Sequence, residues 1–264
     1  MKKVAVEFSN VSYKYPGIDN WILEDINLKI PTNSFYVLAG PTGSGKTTLL
    51  MLARGFHKEY SGKFDGDIYI LGESIKNFKI TELGSKIGII FQDPVSQLHQ
   101  LRVIDEVMSA PMYQGLPWSE CKTRAETVIN EILDRDFYNR SPNELSSGEQ
   151  QKVALAACLV MNCEILILDE PFSFLSIKAA QEILKILLEL KEKGKTIILA
   201  THHLEQVSRH TDRIALIDSG KVVLEGPTMD ILYSKEMGKI LTEPLSIKVA
   251  KALIKSRKLK EKVD

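Results

Sequence analysis

Eight residues constrain this chain more than any others. Gly40-Pro41-Thr42-Gly43-Ser44-Gly45-Lys46-Thr47 fits the pattern G-x-x-x-x-G-K-[ST]. The apolar run Phe35-Tyr36-Val37-Leu38-Ala39 before it stops at Gly40, as a buried parallel strand does when it feeds a loop. Residues 47–54 after it read as a helix closed by Gly55. In a strand–loop–helix setting the glycines let backbone N–H groups turn inward around phosphate, and the following helix directs its positive end at the anion. Lys46 is then placed to reach the β- and γ-phosphates of a nucleotide and the Thr47 hydroxyl to ligate Mg²⁺. Thr48 completes the set expected to touch the nucleotide.

A second feature supports the first. Ile165-Leu166-Ile167-Leu168 is an apolar strand that ends in two carboxylates, Asp169 and Glu170. Asp169 at the strand's end can hold Mg²⁺, usually through water. Glu170 is placed to orient or deprotonate an attacking water, which the metal alone does not position on the far side of a phosphate.

The remaining pattern frames these two motifs. Residues 4–8, 26–30, 87–91 and 196–200 also read as strands, with a turn signal at Pro16-Gly17. Strands alternating with helices imply an α/β fold with a parallel sheet covered on both faces. Between Gln92 and Ile165 the character changes: residues 101–113, 119–133 and 149–161 all read as helices, a helical insert spanning about 93–162. Residues 177–193 carry Ala180, Ile183, Leu184, Leu187 and Leu190 on one stripe, a packing face, with Gly194 at the capping position. Residues 214–217 and 222–224 read as a closing hairpin around Ser219-Gly220. Helix is expected to continue through Glu205 and Gln206.

Composition enters as exclusion. Lys plus Arg and Asp plus Glu are both 34, so no net field draws in nucleic acid or anionic lipid, and no nucleic-acid partner is expected. Cys121, Cys158 and Cys163 are too scattered for a disulfide framework or a zinc site and fit a reducing cytosol. No apolar stretch is long enough to span a bilayer, so any membrane role is borrowed from a partner. The basic stretch 255–264 reads as a frayed, solvated terminus.

Leu145-Ser146-Ser147-Gly148-Glu149-Gln150-Gln151 resembles the LSGGQ signature of ABC ATPases. Gln92 matches that family's Q-loop, residues 172–176 its D-loop, and His202 its switch histidine. Tyr15, in Val11-Ser12-Tyr13-Lys14-Tyr15-Pro16, matches the aromatic that stacks on adenine; Tyr13, two residues away, is the other candidate. The resemblance runs from about residue 4 to 232. It implies a P-loop NTPase core, an N-terminal antiparallel β subdomain and an inserted ABC-specific helical subdomain. It also implies a cassette over 1–240 and a C-terminal helical tail over 241–264. The activity implied is ATP hydrolysis with Mg²⁺ held by Thr47, Gln92 and Asp169, and with Glu170, Gln92 and His202 as catalytic residues. Ser146, Ser147, Gly148 and Glu149 would face the nucleotide of an opposed subunit, which splits each site across a head-to-tail dimer.

Two stretches depart from the family pattern. Ser147 stands for Gly and Glu149 for Gln in the signature. The common Glu-Pro-Thr-Ser-Gly-Leu-Asp is here Glu170-Pro171-Phe172-Ser173-Phe174-Leu175-Ser176, so Ser176 replaces an aspartate. Phe91-Gln92-Asp93-Pro94 followed by Gln97 resembles a stretch of the energy-coupling-factor ATPases, which drive uptake of vitamins and of cobalt or nickel. That resemblance implies a second, different ATPase subunit, a transmembrane coupling protein and a substrate-binding membrane component. It places the chain peripherally on the cytoplasmic face of the membrane. A symmetric homodimer, an oligopeptide/nickel-type or other ABC transporter, and a non-transport ABC ATPase acting on DNA or ribosomes are the alternatives.

Overall fold

In the computed structural model, which describes residues 3–58 and 62–255, the strands are β1 (Val4–Lys14), β2 (Leu23–Pro31), β3 (Phe35–Ala39), β4 (Lys63–Ile70), β5 (Glu73–Ser74), β6 (Ile87–Ile90), β7 (Ile165–Asp169), β8 (Thr196–Thr201), β9 (Arg213–Asp218) and β10 (Lys221–Pro227). The helices are α1 (Lys46–Ala53), α2 (Ile80–Lys86), α3 (Val103–Tyr113), α4 (Trp118–Ile132), α5 (Ser147–Leu159), α6 (Ile177–Glu192), α7 (Thr228–Leu232), α8 (Met237–Ile240) and α9 (Leu245–Lys255). The chain divides into two units, Met1–Asn77 with Ile198–Asp264, and Phe78–Ile197.

The first unit opens with an antiparallel sheet in the order β2-β1-β4-β5. Its β2 alternates from Ile26 to Ile30, burying Ile26, Leu28 and Ile30, the period of a half-covered sheet, while Leu23 is buried beyond an irregularity at Asp25, at φ 51. In β1 the buried set changes parity, from Val6 and Phe8 to Val11 and Tyr13. Asn10, at φ 51, absorbs the extra residue as a bulge, and the register shifts against both β2 and β4 there. The bulge presses on β4 at Gly66, where a Cβ would lie 2.4 Å from the Asn10 carbonyl oxygen. Only glycine fits at that crossing.

Strands β10-β9-β3-β8, in that order, lie in the first unit's second sheet, β8 entering it at Ile198. Parallel pairing of β3 with β9 sets Tyr36 opposite Arg213, and β9 turns back into β10 through Ser219 and Gly220, both at positive φ. Every residue of β3 and β8 is buried, as strands covered on both faces require. The buried Tyr36 hydroxyl donates to Glu225 Oε1 at 3.0 Å, and Arg213 Nε reaches the same oxygen at 2.9 Å. Desolvation, with the adjacent Glu225 charge second, pushes the Tyr36 pKa up, so the phenol stays a donor that bridges β3 and β10.

The second unit pairs β6 with β7 in parallel, Ile87 opposite Ile165, and β7 is buried throughout. Its helix α5 packs against α3, α4 and α6. The α6 stripe buries Ala180, Ile183, Leu187 and Leu190, while Leu184 is half-buried.

Several elements differ from the sequence expectation. β4, β5 and α2 lie outside the elements the sequence predicts; in β4, Gly66 and the flanking aspartates break the alternation of 63–70. Residues 205–207 form a turn rather than helix, followed by a 3₁₀ turn at Ser208–His210. Of the stretch 241–264 expected to be a helical tail, α9 covers 245–255; residues 256–264, which hold most of the basic stretch, lie outside the described residues. Among the described residues no helix is long and apolar enough to cross a membrane.

Candidate functional site

In the first unit the glycine loop is shaped from both sides. A Cβ on Gly40 would fall 2.1 Å from the Ile217 carbonyl oxygen, so β9 lies directly against the start of the loop. At the other end Gly45 caps α1 in the left-handed region at φ 102, with Leu23 Cδ2 2.7 Å from the position of a Cβ. The β9–β10 turn fastens the middle: Gly220 N–H donates to Ser44 O at 3.1 Å and Glu24 N–H to Gly220 O at 2.9 Å. The loop carrying residues 40–48 is therefore braced by β2 and by the hairpin.

Within that frame Lys46 is buried, and its ammonium lies on the carbonyl oxygens of Gly40 and Pro41 at 2.7 and 2.9 Å. A cation is thus held at the loop's own mouth, where a phosphate oxygen would meet it. Ser44 Oγ is buried with no hydrogen-bond partner among the described residues, which a phosphate oxygen would satisfy. Tyr15 follows directly on β1, half-buried, and its hydroxyl lies 3.1 Å from Thr48 Oγ1. Tyr13 is 2% exposed and the two rings meet edge to face at 5.1 Å, so Tyr15 is the more accessible of the two. His202 stands just past the end of β8, its ring 3.8 Å from that of the exposed His203 and tilted 43° to it.

In the second unit β7 delivers Asp169 and Glu170, which are 5% and 9% exposed. Glu170 adopts φ 45, a left-handed conformation that costs a residue with a Cβ about 1–3 kcal/mol. That turn redirects the backbone so that the Glu170 carbonyl accepts Ser173 N–H at 3.2 Å. Gln92 is exposed beyond β6. The loop that carries it is tethered by Gln97, whose Oε1 accepts Phe91 N–H at 2.8 Å and whose amide donates to Ile89 O at 3.3 Å.

The signature residues sit at the start of α5. Ser146 is its N-cap, and Glu149 reaches back to Ser146 N at 2.8 Å and Ser146 Oγ at 2.7 Å, a reciprocal capping box. The hydrogen bond from Ser146, with Arg140 also nearby at 3.5 Å, holds the Glu149 carboxyl below the ordinary 4.5. Its charge is therefore drawn back onto the cap. Ser147 Oγ donates to Phe174 O at 3.2 Å. Gly148 packs on α6, where a Cβ would approach Ala179 Cβ to 2.8 Å. Ser176 caps α6, its hydroxyl accepting Ala179 N–H at 3.2 Å.

Residues 23–173 match the family model for ABC transporters. The chain belongs to the ABC transporter family. It carries that family's ATPase domain. The energy-coupling factor transporter ATP-binding protein EcfA2 of Streptococcus agalactiae is 34% identical to this cassette over 245 residues, covering 89% of this chain and 88% of that one. A putative ABC transporter ATP-binding protein of Methanosarcina mazei is 38% identical over 233 residues, covering 88% of this cassette, which spans only 40% of that relative's length. The solved structure of cbiO1 from Clostridium perfringens, part of the ABC transporter complex cbiONQ, superposes with a TM-score of 0.79 at 29% identity, over 89% of this chain and 93% of that one.

Two residues hold the ABC cassette's loops without belonging to a motif that signals that role. Gln97 stands in the sequence only as part of the subfamily resemblance. Glu106 is 8% exposed, and its Oε2 accepts both His99 N–H and Gln100 N–H at 2.7 Å. Neither signal is local: each side chain acts on backbone six to eight residues away, and no pattern of residue types encodes that reach.

Proposed function

We propose that this chain is the ATP-binding and hydrolysing subunit of a membrane importer of the energy-coupling-factor type, taking up a vitamin or cobalt or nickel ions. The observation that carries the chemistry is Glu170 at the end of a fully buried strand, in a turn that fixes it one residue beyond Asp169. The likeness to EcfA2 and to cbiO1 supports the transporter class.

In this reading the triphosphate lies along Gly40, Pro41, Thr42, Gly43, Ser44, Gly45, Lys46, Thr47 and Thr48, with adenine stacked on Tyr15. The N–H groups at the start of α1 and the Lys46 ammonium take up charge on the β- and γ-phosphates. Glu170 orients a water in line with the γ-phosphorus and accepts its proton as the new P–O bond forms and the bond to the ADP oxygen breaks. His202 donates to a γ-phosphate oxygen and loses that contact when phosphate departs. The Thr47 hydroxyl, Gln92 amide oxygen and Asp169 carboxylate are all hard oxygen donors, a set that suits Mg²⁺. Bound there, the ion would neutralise charge on the transferring phosphate.

The signature Ser146, Ser147, Gly148 and Glu149 would face the nucleotide of an opposed cassette, the N-terminus of α5 directed at it. ATP then closes the pair and hydrolysis loosens it, a motion passed to a transmembrane coupling protein that works with a substrate-binding membrane component. The chain sits peripherally on the cytoplasmic face, its opposed cassette a different subunit, in keeping with Ser176 where the family has aspartate. The test is Glu170→Gln in the complex purified through a tag on this chain. ATP binding is retained and turnover falls on the order of 10²–10⁴-fold; turnover near wild type sinks the assignment. Native mass spectrometry of the same complex should find one copy of this chain beside a second cassette, and two copies alone would exclude the heterodimer.

A further inference from the structure

Segment 170–176 joins the candidate base to α6, and it is held at three points. At its start Glu170 occupies the left-handed turn that β7 feeds, with its carbonyl on Ser173 N–H at 3.2 Å. At its end Ser176 caps α6. Between these, the Phe174 carbonyl accepts the Ser147 hydroxyl at 3.2 Å. Phe174 itself contributes little to anchoring, because its side chain is 64% exposed. The adjacent Ser173 points its hydroxyl at Glu170 Oε2, 3.5 Å away, a long approach that a small shift of the turn would shorten or lose. The tie from α5 therefore falls one residue from the hydroxyl that faces the base.

We infer that Ser147 is a positioning residue for hydrolysis: through the Phe174 carbonyl it fixes the turn that sets Ser173 against the Glu170 carboxylate. This rests on the reading of Glu170 as the base. The glycine usual at position 147 has no hydroxyl and cannot make the bond, so the coupling belongs to this chain and not to the signature pattern as such. Its direction is from the start of α5, where an opposed nucleotide would be felt, to the carboxylate of this chain's own half-site. Displacing the Ser147 hydroxyl at one end alters how firmly the other end is held.

The experiment is a double-mutant cycle on ATP turnover, with the full chain in its purified complex, using Ser147→Ala, Ser173→Ala and both together. Each single change lowers kcat by about 3–10-fold, the loss expected of one hydrogen bond that orients a reacting group, and the loss falls on kcat more than on KM for ATP. The double variant is no slower than the worse single variant, because both cut one path. Ser147→Thr, which keeps the hydroxyl, recovers most of the lost kcat. Independent, multiplicative losses overturn the inference. So does a raised KM at unchanged kcat, which would confine Ser147 to contact with the opposed nucleotide, or a lowered urea midpoint with kcat intact, which would make it structural alone. Glu170→Gln runs alongside: wild-type turnover there brings down the base assignment itself, while a dead Glu170→Gln with an unaffected Ser147→Ala brings down only the positioning role.

Discussion

Ser176 stands where the D-loop resemblance would put aspartate, and replacing it tests what the serine does for the fold. Its Oγ accepts Ala179 N–H at 3.2 Å and so satisfies one of the donors left open at the start of the sixteen-residue helix α6. Ser176 is exposed, and caps at exposed sites lie in the lower part of the usual range, so Ser176→Ala costs about 0.5–1 kcal/mol. Ser176→Asp keeps the acceptor. The first turn of α6 contains no acidic residue, so the new carboxylate meets the positive end of the helix unopposed and contributes about 0.3–1 kcal/mol more. For a chain of this size those changes move the melting temperature down by roughly 1–4 °C for alanine and leave it level or raise it by a similar amount for aspartate. Thermal melts followed by circular dichroism, at one protein concentration and without nucleotide, read both. A Ser176→Ala melt superimposed on wild type, or a Ser176→Asp protein less stable than the alanine variant, refutes the capping argument.

Gly45→Ala combines left-handed strain with the 2.7 Å approach to Leu23, and should destabilise by about 2–5 kcal/mol and abolish nucleotide binding. Gly43→Ala, also at positive φ but with nothing within 4 Å, should cost only about 1–2 kcal/mol; equal urea midpoints for the two would remove the steric part of the argument. Because the Glu149 pKa lies below the ordinary 4.5 in the fold, its ionised form stabilises above pH 4.5, and that contribution is lost as pH falls through the lowered value. Urea midpoints of wild type and Glu149→Gln should differ near neutrality and converge in acid, and a gap that widens below pH 4.5 would contradict the capping box as its source.

What the sequence determined by itself is the part of the molecule governed by short-range chemistry. A buried apolar run, a glycine loop and Lys46-Thr47 can hardly be anything but strand, turn and helix, because each signal acts on its own neighbours. The same holds for β7 ending in Asp169, for the apolar stripe of α6 and for the Ser219-Gly220 hairpin. β4 was illegible because its Gly66 answers to a bulge at Asn10 in another strand, and a requirement imposed from there leaves no local pattern. The partners of polar side chains were equally hidden. The Glu149 carboxylate drawn back onto Ser146, Glu106 holding two backbone N–H groups, and Tyr36 joined to Glu225 across the sheet are choices among acceptors that only the folded chain brings within reach. Ser147 shows the difference most directly. The sequence displayed an extra hydroxyl in a signature, and the tertiary structure alone decided its acceptor, since a hydrogen bond depends on distance and direction, which residue order does not specify.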